Sequence, residues 1–429
     1  MSGAEALLCD VLVVGGGPAG ATAAALLAEA GRDVLLVEKG EHPRFHIGES
    51  LLPRNLAIFD RLGVKDEVAA LGVHKPGAEF VSDETGRSVA FHFGDALNKA
   101  HTHAYQVPRA EFDQALFANA ARRGARTMER TRVTEMGFAR PGERAEVAAV
   151  GPGGEALRIR PRFVLDASGR DTFLAGKLRL KDANKKNNTA ALYGHFRGVE
   201  RRECGLEGYI TVHLAEDGWF WVIPLPDGVT SVGFVGNQAA FKERRGTPAE
   251  LFMDRIARSP TLSARMRGAS LASEVVSTGN YSYRARLGHG DGYMMIGDAY
   301  GFVDPMFSTG VLLAMTAGEL GAEAAGAWLD DPARGRALCA RAGRDLARAM
   351  DRISWVIYRI NDPVLRSLFM APRNTLRMRD GIVNLLAGNL YREWRSEMPV
   401  LAFKLVYHVS CLLRRFGIGV AEPAVVAAE

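Results

Sequence analysis

Three glycines, Gly15, Gly17 and Gly20, follow the apolar run Val11–Val14 and precede the small-residue run Ala21–Ala30. That order suits a pyrophosphate. Gly15 permits a tight turn, and Gly17, with Ala19 in the same loop, leaves the backbone open to phosphate oxygens. Gly20 lets a following helix press against the strand. The helix start adds unpaired N–H groups aimed at the anion. A second apolar run ends in Glu38, about 20 residues on, where a carboxylate can accept hydrogen bonds from a ribose. Glycines at this spacing alone are a weak signal. Strand, glycines, helix, strand and acid in one order are a strong one for a dinucleotide site.

Other polar residues fall where such a fold binds ligands. Asp166-Ala-Ser168-Gly169 follows the apolar run Phe163–Leu165 and forms a second tight turn at the carboxyl end of a strand. Gly297-Asp298 repeats the pattern after Tyr293–Ile296. Arg109 opens a helix running to about Arg123. A cation in the first turn opposes the helix dipole, so Arg109 reads either as a phosphate ligand or as half of a salt bridge. Lys75 lies where a helix gives way to strands. From position alone, a lone lysine is an ordinary solvated charge.

Now the elements that must carry these residues. The chain has 429 residues, 47% hydrophobic and 24% charged, an ordinary globular composition. No apolar run reaches the ~20 residues of a membrane span, and no leader pattern opens the sequence. Cys9, Cys204, Cys339 and Cys411 have neither CxxC nor metal spacing, so reduced thiols, a cytoplasmic location and no metal are expected. The net charge of +5 is too small to assign a partner, and no nucleic-acid partner is expected.

The pattern predicts an α/β class. Gly48-Glu49-Ser50 reads as the cap and first turn of a helix. Residues 79–103 form a hairpin about Glu84-Thr85-Gly86. Gly151-Pro-Gly153-Gly154 is a hairpin turn and not a second phosphate loop, because a strand, not a helix, follows it. Residues 186–280 are strand-rich and read as an inserted antiparallel sheet. Residues 331–429 read as helical and arginine-rich, with breaks near Pro363, Pro372 and Pro399. The expected divisions are a discontinuous nucleotide-binding domain (1–78, 104–185 and 281–330), a β-sheet substrate domain (79–103 and 186–280) and a C-terminal helical region (331–429).

Over residues 10–320 the motifs resemble those of flavin-dependent halogenases, a branch of the FAD-dependent monooxygenases with a glutathione-reductase-like FAD-binding domain. Three features resemble halogenases in particular. They are the WxWxIP run Trp219-Phe-Trp221-Val-Ile223-Pro224, the spaced set Phe302, Pro305, Ser308 and Gly310, and Lys75 shortly after Gly48-Glu49-Ser50. The resemblance implies bound FAD, with Glu38 on the adenosine ribose and Asp298 on the ribityl–pyrophosphate region. Arg109, Asp166, Gly169 and Gly297 complete the cofactor set. It also implies that reduced FAD, oxygen and chloride or bromide yield hypohalous acid, with the halide held by backbone amides at Ser308-Thr309-Gly310. Lys75 would pass the halogen on, by hydrogen bond or as a haloamine, while Trp219 and Trp221 keep substrate from the flavin. No second dinucleotide fold is readable, so reduced FAD would come from a separate flavin reductase. Three other readings stay open on the same scaffold. A hydroxylating monooxygenase on an aromatic or polyketide substrate is distinguished by halide independence, and an isoprenoid reductase by oxygen independence. A catalytically silent flavin-binding partner would form no oxygen adduct.

Phe307 bears on the substrate. In the tryptophan-halogenating branch a glutamate near this place opposes the ring cation and accepts its proton. Phenylalanine does neither, so the expected substrate is an electron-rich phenol or pyrrole, in secondary metabolism such as antibiotic biosynthesis, with free tryptophan a poor one. Arg334, Arg336, Arg341, Arg344, Arg348 and Arg352 recur at two to five residues. They read as a solvated helical face, or as a dock for an acidic carrier protein presenting a tethered substrate. The segment from Val400 to Arg415 is apolar with a basic end, and reads as a packed helix covering the substrate entrance in preference to a membrane contact.

Overall fold

The computed structural model describes residues 6–138, 143–184, 189–237, 240–241, 246–279, 282–372, 374–391 and 394–416. The last thirteen positions of the expected helical region, 417–429, lie outside them. Strand β1 (Leu7–Val14) runs through the glycine turn into helix α1 (Pro18–Glu29) and returns as β2 (Val34–Val37), parallel to β1. β2 is buried along its whole length, as parallel strands covered by helices require. The α1 turn is as close as the glycine spacing predicts. A Cβ on Gly20 would lie 1.9 Å from the Gly15 carbonyl oxygen, and Gly15 has φ +108°.

The chain then runs extended past Gly48-Glu49-Ser50. This corrects the expectation of a helix cap there, because helix α2 begins only at Asn55 (Asn55–Leu62). The reason is twofold. Leu52 precedes Pro53, which disfavours the helical region. Ser50 also bridges to Gln106, and the Leu51 N–H donates to the Tyr105 carbonyl. After α3 (Lys65–Leu71) come β3 (Val73–Lys75), β4 (Gly77–Ser82), β5 (Ser88–His92) and β6 (Ala104–Gln106). Next are α4 (Arg109–Arg122), β7 (Arg126–Met128), β8 (Arg132–Gly137), β9 (Glu146–Val150) and β10 (Ala156–Asp166). Gly154 turns the β9–β10 hairpin at φ +82°.

Four strands follow: β11 (Thr189–Arg197), β12 (Ile210–Leu214), β13 (Gly218–Pro224) and β14 (Val229–Asn237). They pair in the order β11-β14-β13-β12-β4-β5, antiparallel except for the parallel β12–β4 contact. Two helices that the strand-rich reading missed follow, α5 (Pro248–Ala257) and α6 (Pro260–Arg265). The first carries a full capping box between Thr247 and Glu250, a readable start signal. Strand β15 (Tyr293–Met295) completes the parallel sheet, ordered β15-β10-β1-β2-β7.

Helix α7 (Gly310–Asp330) packs on α1, close enough that a Cβ on Gly318 would lie 2.5 Å from the Ala19 carbonyl oxygen. The remaining helices are α8 (Pro332–Ile357), α9 (Pro363–Met370), α10 (Met378–Leu386) and α11 (Trp394–Arg415). Pro363 starts a helix and Pro372 lies between two. Pro399 breaks nothing: it sits inside α11. An interior proline costs about 3 kcal/mol, and packing compensates here, since α10 approaches Pro399 so closely that only Gly381 fits between them.

Candidate active site

A cavity of about 460 Å³ lies between the carboxyl ends of the parallel strands and the antiparallel sheet. Gly15, Gly17 and Ala19 form one wall, and the Ala167–Asp171 turn, which includes Gly169, another. Glu38, Arg109, Trp221, Asp298, Ser308 and Gly310 also face it. Strand order dictates this meeting place, because β1, β2 and β10 all end there.

Glu38 is nearly buried and accepts hydrogen bonds from the N–H groups of Gly16 and Gly40, both at 2.8 Å. Burial works against its ionisation, but the Gly40 N–H, the Arg44 guanidinium and the Gly16 N–H outweigh burial and hold the carboxyl below its ordinary value. A Cβ added to Gly17 would meet only Arg44 Nη2, at 3.8 Å, so the space before that glycine is open for a phosphate. Glycine loop, acid and open cradle together fit FAD.

Arg109 is buried and committed. Its guanidinium grips Asp113 by two bonds, at 2.8 and 3.0 Å, and donates to the Ile47 carbonyl at 2.6 Å. The salt bridge foreseen as one alternative is therefore present, but inside the protein. Asp298 is half-buried at the cavity wall. Burial pushes its carboxyl up to about 6, opposed by Arg109 and Arg170. Asp166 holds the turn and does not face the cavity: its oxygens accept from the N–H groups of Ser168 and Leu174. Gly20 and Gly297 also stand behind the wall. Gly297 has φ +60°, and a Cβ there would lie 2.9 Å from the Ala19 Cβ.

The two tryptophans part ways. Trp221 lines the cavity with Ile223. Its indole lies flat over Gly233, where a Cβ would sit 2.1 Å from the ring, and its N–H donates to Ser231 Oγ at 3.2 Å. Trp219 is buried beside it, ring centroids 5.9 Å apart, and does not reach the cavity. Period-two alternation puts both on one face of the sheet, but Trp221 alone lies over the opening. Ser308 has φ +57°, and Thr309 is the residue before α7. Thr309 does not line the cavity and instead borders a small void shared with Leu313 and Ala317. Phe307 is buried in an aromatic cluster with Phe80 and Phe369, at 5.9 and 6.0 Å.

Lys75 is 1% exposed. Its Nζ donates to Ser50 Oγ at 2.8 Å and to the Leu51 carbonyl at 2.7 Å, and it stands 5.2 Å from the Phe93 ring centre. Burial brings the amine down to about 7. Lys75 does not itself line the cavity. Ser50 does, so the segment Glu49–Leu51 separates the amine from the cavity and connects the two. The solvated-charge reading of Lys75 is thus overturned by its burial.

Sequence reasoning missed Glu49, Arg44 and His195. Glu49 lines the cavity and pairs with His195 at 2.5 Å, which raises the histidine's pKa. The partners are 146 residues apart, and nothing local signals the contact. Arg44 bridges Glu38 and Asp113 at 3.5 and 3.6 Å. Among the described residues no three histidine, cysteine or acidic side chains form a metal cluster, and no helix is long and apolar enough to cross a membrane.

Residues 8–320 match the family model of the FAD binding domain. The tryptophan 2-halogenase of Chondromyces crocatus is 37% identical over 317 residues, covering 71% of this chain and 58% of that protein. The 1H-pyrrole-2-carbonyl-[peptidyl-carrier protein] chlorinase of Pseudomonas fluorescens is 28% identical, covering 72% of this chain and 74% of that one. Among solved structures, a flavoprotein/dehydrogenase from Cytophaga hutchinsonii superposes with a TM-score of 0.85 at 31% identity, covering 94% and 98% of the two chains. The chain spans less than two thirds of the length of its Chondromyces relative. The chain belongs to the FAD-binding flavoproteins of that family model, and its relatives include flavin-dependent halogenases.

Proposed function

We propose that the protein halogenates an electron-rich phenolic or pyrrole-type ring, using FAD, oxygen and chloride or bromide, with Lys75 as the catalytic amine. The observation that carries this is the buried, partly neutral Lys75 held one residue layer from the cavity. Reduced FAD, supplied by a separate reductase, would supply the two electrons that let oxygen oxidise halide to hypohalous acid, the second oxygen atom leaving as water. The rest falls to this chain. Gly15, Gly17 and the start of α1 hold the diphosphate, and Glu38 orients the ribose. In the Ser308-Thr309-Gly310 turn, where α7 begins, the Ser308 N–H is taken by the Pro305 carbonyl, which leaves the Thr309 and Gly310 N–H groups to a halide. Trp221, fixed over Gly233, bars an aromatic substrate from that side.

The Lys75 amine attacks the hypohalous acid at its halogen. A nitrogen–halogen bond forms as the halogen–oxygen bond breaks, and the amine proton leaves with hydroxide as water. The ring carbon then takes the halogen as the nitrogen–halogen bond breaks, and the proton that the ring loses returns to Nζ, restoring the amine. Ser50 Oγ and the Leu51 carbonyl accept from Nζ and fix the direction of its lone pair.

Only the neutral amine is nucleophilic. Its pKa of about 7 therefore predicts that halogenation falls about tenfold for each pH unit below 7 and levels off above it. A rate profile in bromide, read with saturating reduced FAD, checks this. A flat profile from pH 5.5 to 8 would exclude Lys75 titration.

The substrate class rests on the surroundings of Phe307, whose ring neighbours are phenylalanines. Phe307 is buried behind the cavity wall and supplies no carboxylate to accept the ring proton, so the substrate must be activated by its own hydroxyl or ring nitrogen. The relative named for position 2 of tryptophan speaks against the expectation that free tryptophan is a poor substrate, so tryptophan belongs in the comparison. The test is competition among phenols, pyrroles, indoles and carrier-tethered pyrrole, with FAD, a flavin reductase, NADH and bromide, read by the bromine isotope doublet. Preference for a benzo-ring carbon of tryptophan would overturn the assignment, and equal turnover of free and tethered pyrrole would remove any need for a carrier. The α8 arginines support a carrier dock only weakly. Arg341 and Arg348 pair with Asp345, Arg336 with Asp291 and Arg352 with Glu397, a largely compensated face.

A further inference from the structure

The outer face of α11 has no counterpart in the chemistry above. Phe403 and Tyr407 point inward and pack on Trp355, at 6.4 and 5.4 Å. On the opposite side Met398, Leu401, Leu405, Val409, Leu412 and Phe416 follow one another at three- and four-residue steps, which is one stripe of a helix. All six are exposed, Leu405 at 62% and Phe416 at 73%. Leu376, in the turn packed beside α11, is 64% exposed and widens the strip. Exposed apolar residues scattered singly are ordinary, but a continuous row marks a contact surface. The expectation that this helix covers the substrate entrance leaves that row unexplained.

Charge selects the occupant. From Met398 to Phe416 the sequence holds Lys404, Arg414 and Arg415 and no acid. Lys404 lies over the Trp355 ring at 4.9 Å, with Arg359 over the same ring at 4.8 Å. A second copy of the chain, paired stripe to stripe, would set these cations against their like with no acid between Met398 and Phe416 on either copy to answer them. The side chains also form a protruding ridge, which suits a soft phase better than a preformed pocket.

We propose that α11 lies in the surface of an anionic lipid membrane, its apolar ridge among the acyl chains and its cations at the phosphates. This is the geometry of an interfacial helix, in which buried apolar area and attraction to anionic headgroups add.

The test is flotation of the full chain, loaded with FAD, on phosphatidylcholine vesicles with and without phosphatidylglycerol. Binding about tenfold or more tighter to the anionic vesicles is expected, weakening with salt. The double variant L401E/L405E and the double variant R414A/R415A should each lose most of it, with cofactor content and melting temperature unchanged, because all four side chains are outside the cavity. Equal binding to both vesicle types, or none, would overturn the proposal. So would a dimer in sedimentation equilibrium that L401E/L405E dissociates, since the ridge would then be an interface between copies.

Discussion

Lys75→Ala is expected to abolish substrate halogenation, by about a thousandfold or more, while the protein still binds FAD. Losing a positioned nucleophile or acid–base group costs on the order of 10²–10⁴ in rate. Lys75 is separated from the cofactor cavity by the Ser50 segment, so its loss need not disturb the glycine loop. The deletion leaves Ser50 Oγ and the Leu51 carbonyl without their donor, a cost of about 1–3 kcal/mol that is opposed by removal of the buried amine. Lys75→Arg separates charge from chemistry, because a guanidinium stays protonated and cannot act as the nucleophile. It should be as inactive as alanine. Yellow protein that makes hypohalous acid without halogenating substrate is the expected phenotype, measured by flavin absorbance and by trapping free hypohalite. Retention of most substrate halogenation by Lys75→Ala would sink the assignment.

The second large effect separates two glycines three residues apart. A valine at Gly17 should leave a folded, colourless protein. Its Cβ has room beside Arg44, and its methyl groups would enter the space where the phosphate must pass. A valine at Gly20 meets backbone instead, 1.9 Å from the Gly15 carbonyl oxygen. The α1–β1 contact must then open, and the chain should fail to fold. Apo-protein melting and bound-flavin absorbance read the two outcomes. Saturable FAD binding by Gly17→Val at near normal affinity would show that the diphosphate lies elsewhere.

The legible parts of this protein are the local ones. Gly15-x-Gly17-x-x-Gly20, Glu38 and the Gly154 hairpin are each set by backbone geometry within a few residues. Sequence reading placed each of them on the element that the structure shows. The errors have the same logic reversed. Gly48-Glu49-Ser50 looks like a helix start because its polar residues could cap one, but the contacts that hold it extended come from Lys75, Tyr105 and Gln106. Pro399 looks like a break because the close fit at Gly381, which compensates it, is nonlocal. Trp219 and Trp221 share a strand face, and only the third dimension tells which one reaches the cavity. The Glu49–His195 pair joins the extended segment before α2 to the antiparallel sheet across 146 residues, and no spacing rule reaches that far.

The solitude of the Lys75 amine has a consequence for folding as well as for chemistry. Its hydrogen-bond acceptors are neutral oxygens, so nothing at the site balances a buried charge. In the unfolded chain the amine stays protonated up to its ordinary value of 10.5, and in the folded protein only up to about 7. Between those limits folding releases a proton, so this residue makes the protein more stable as pH rises. Below about 7 the fold carries the whole cost of an uncompensated cation in its interior. The residue that chemistry would keep is the one that folding in mild acid would discard.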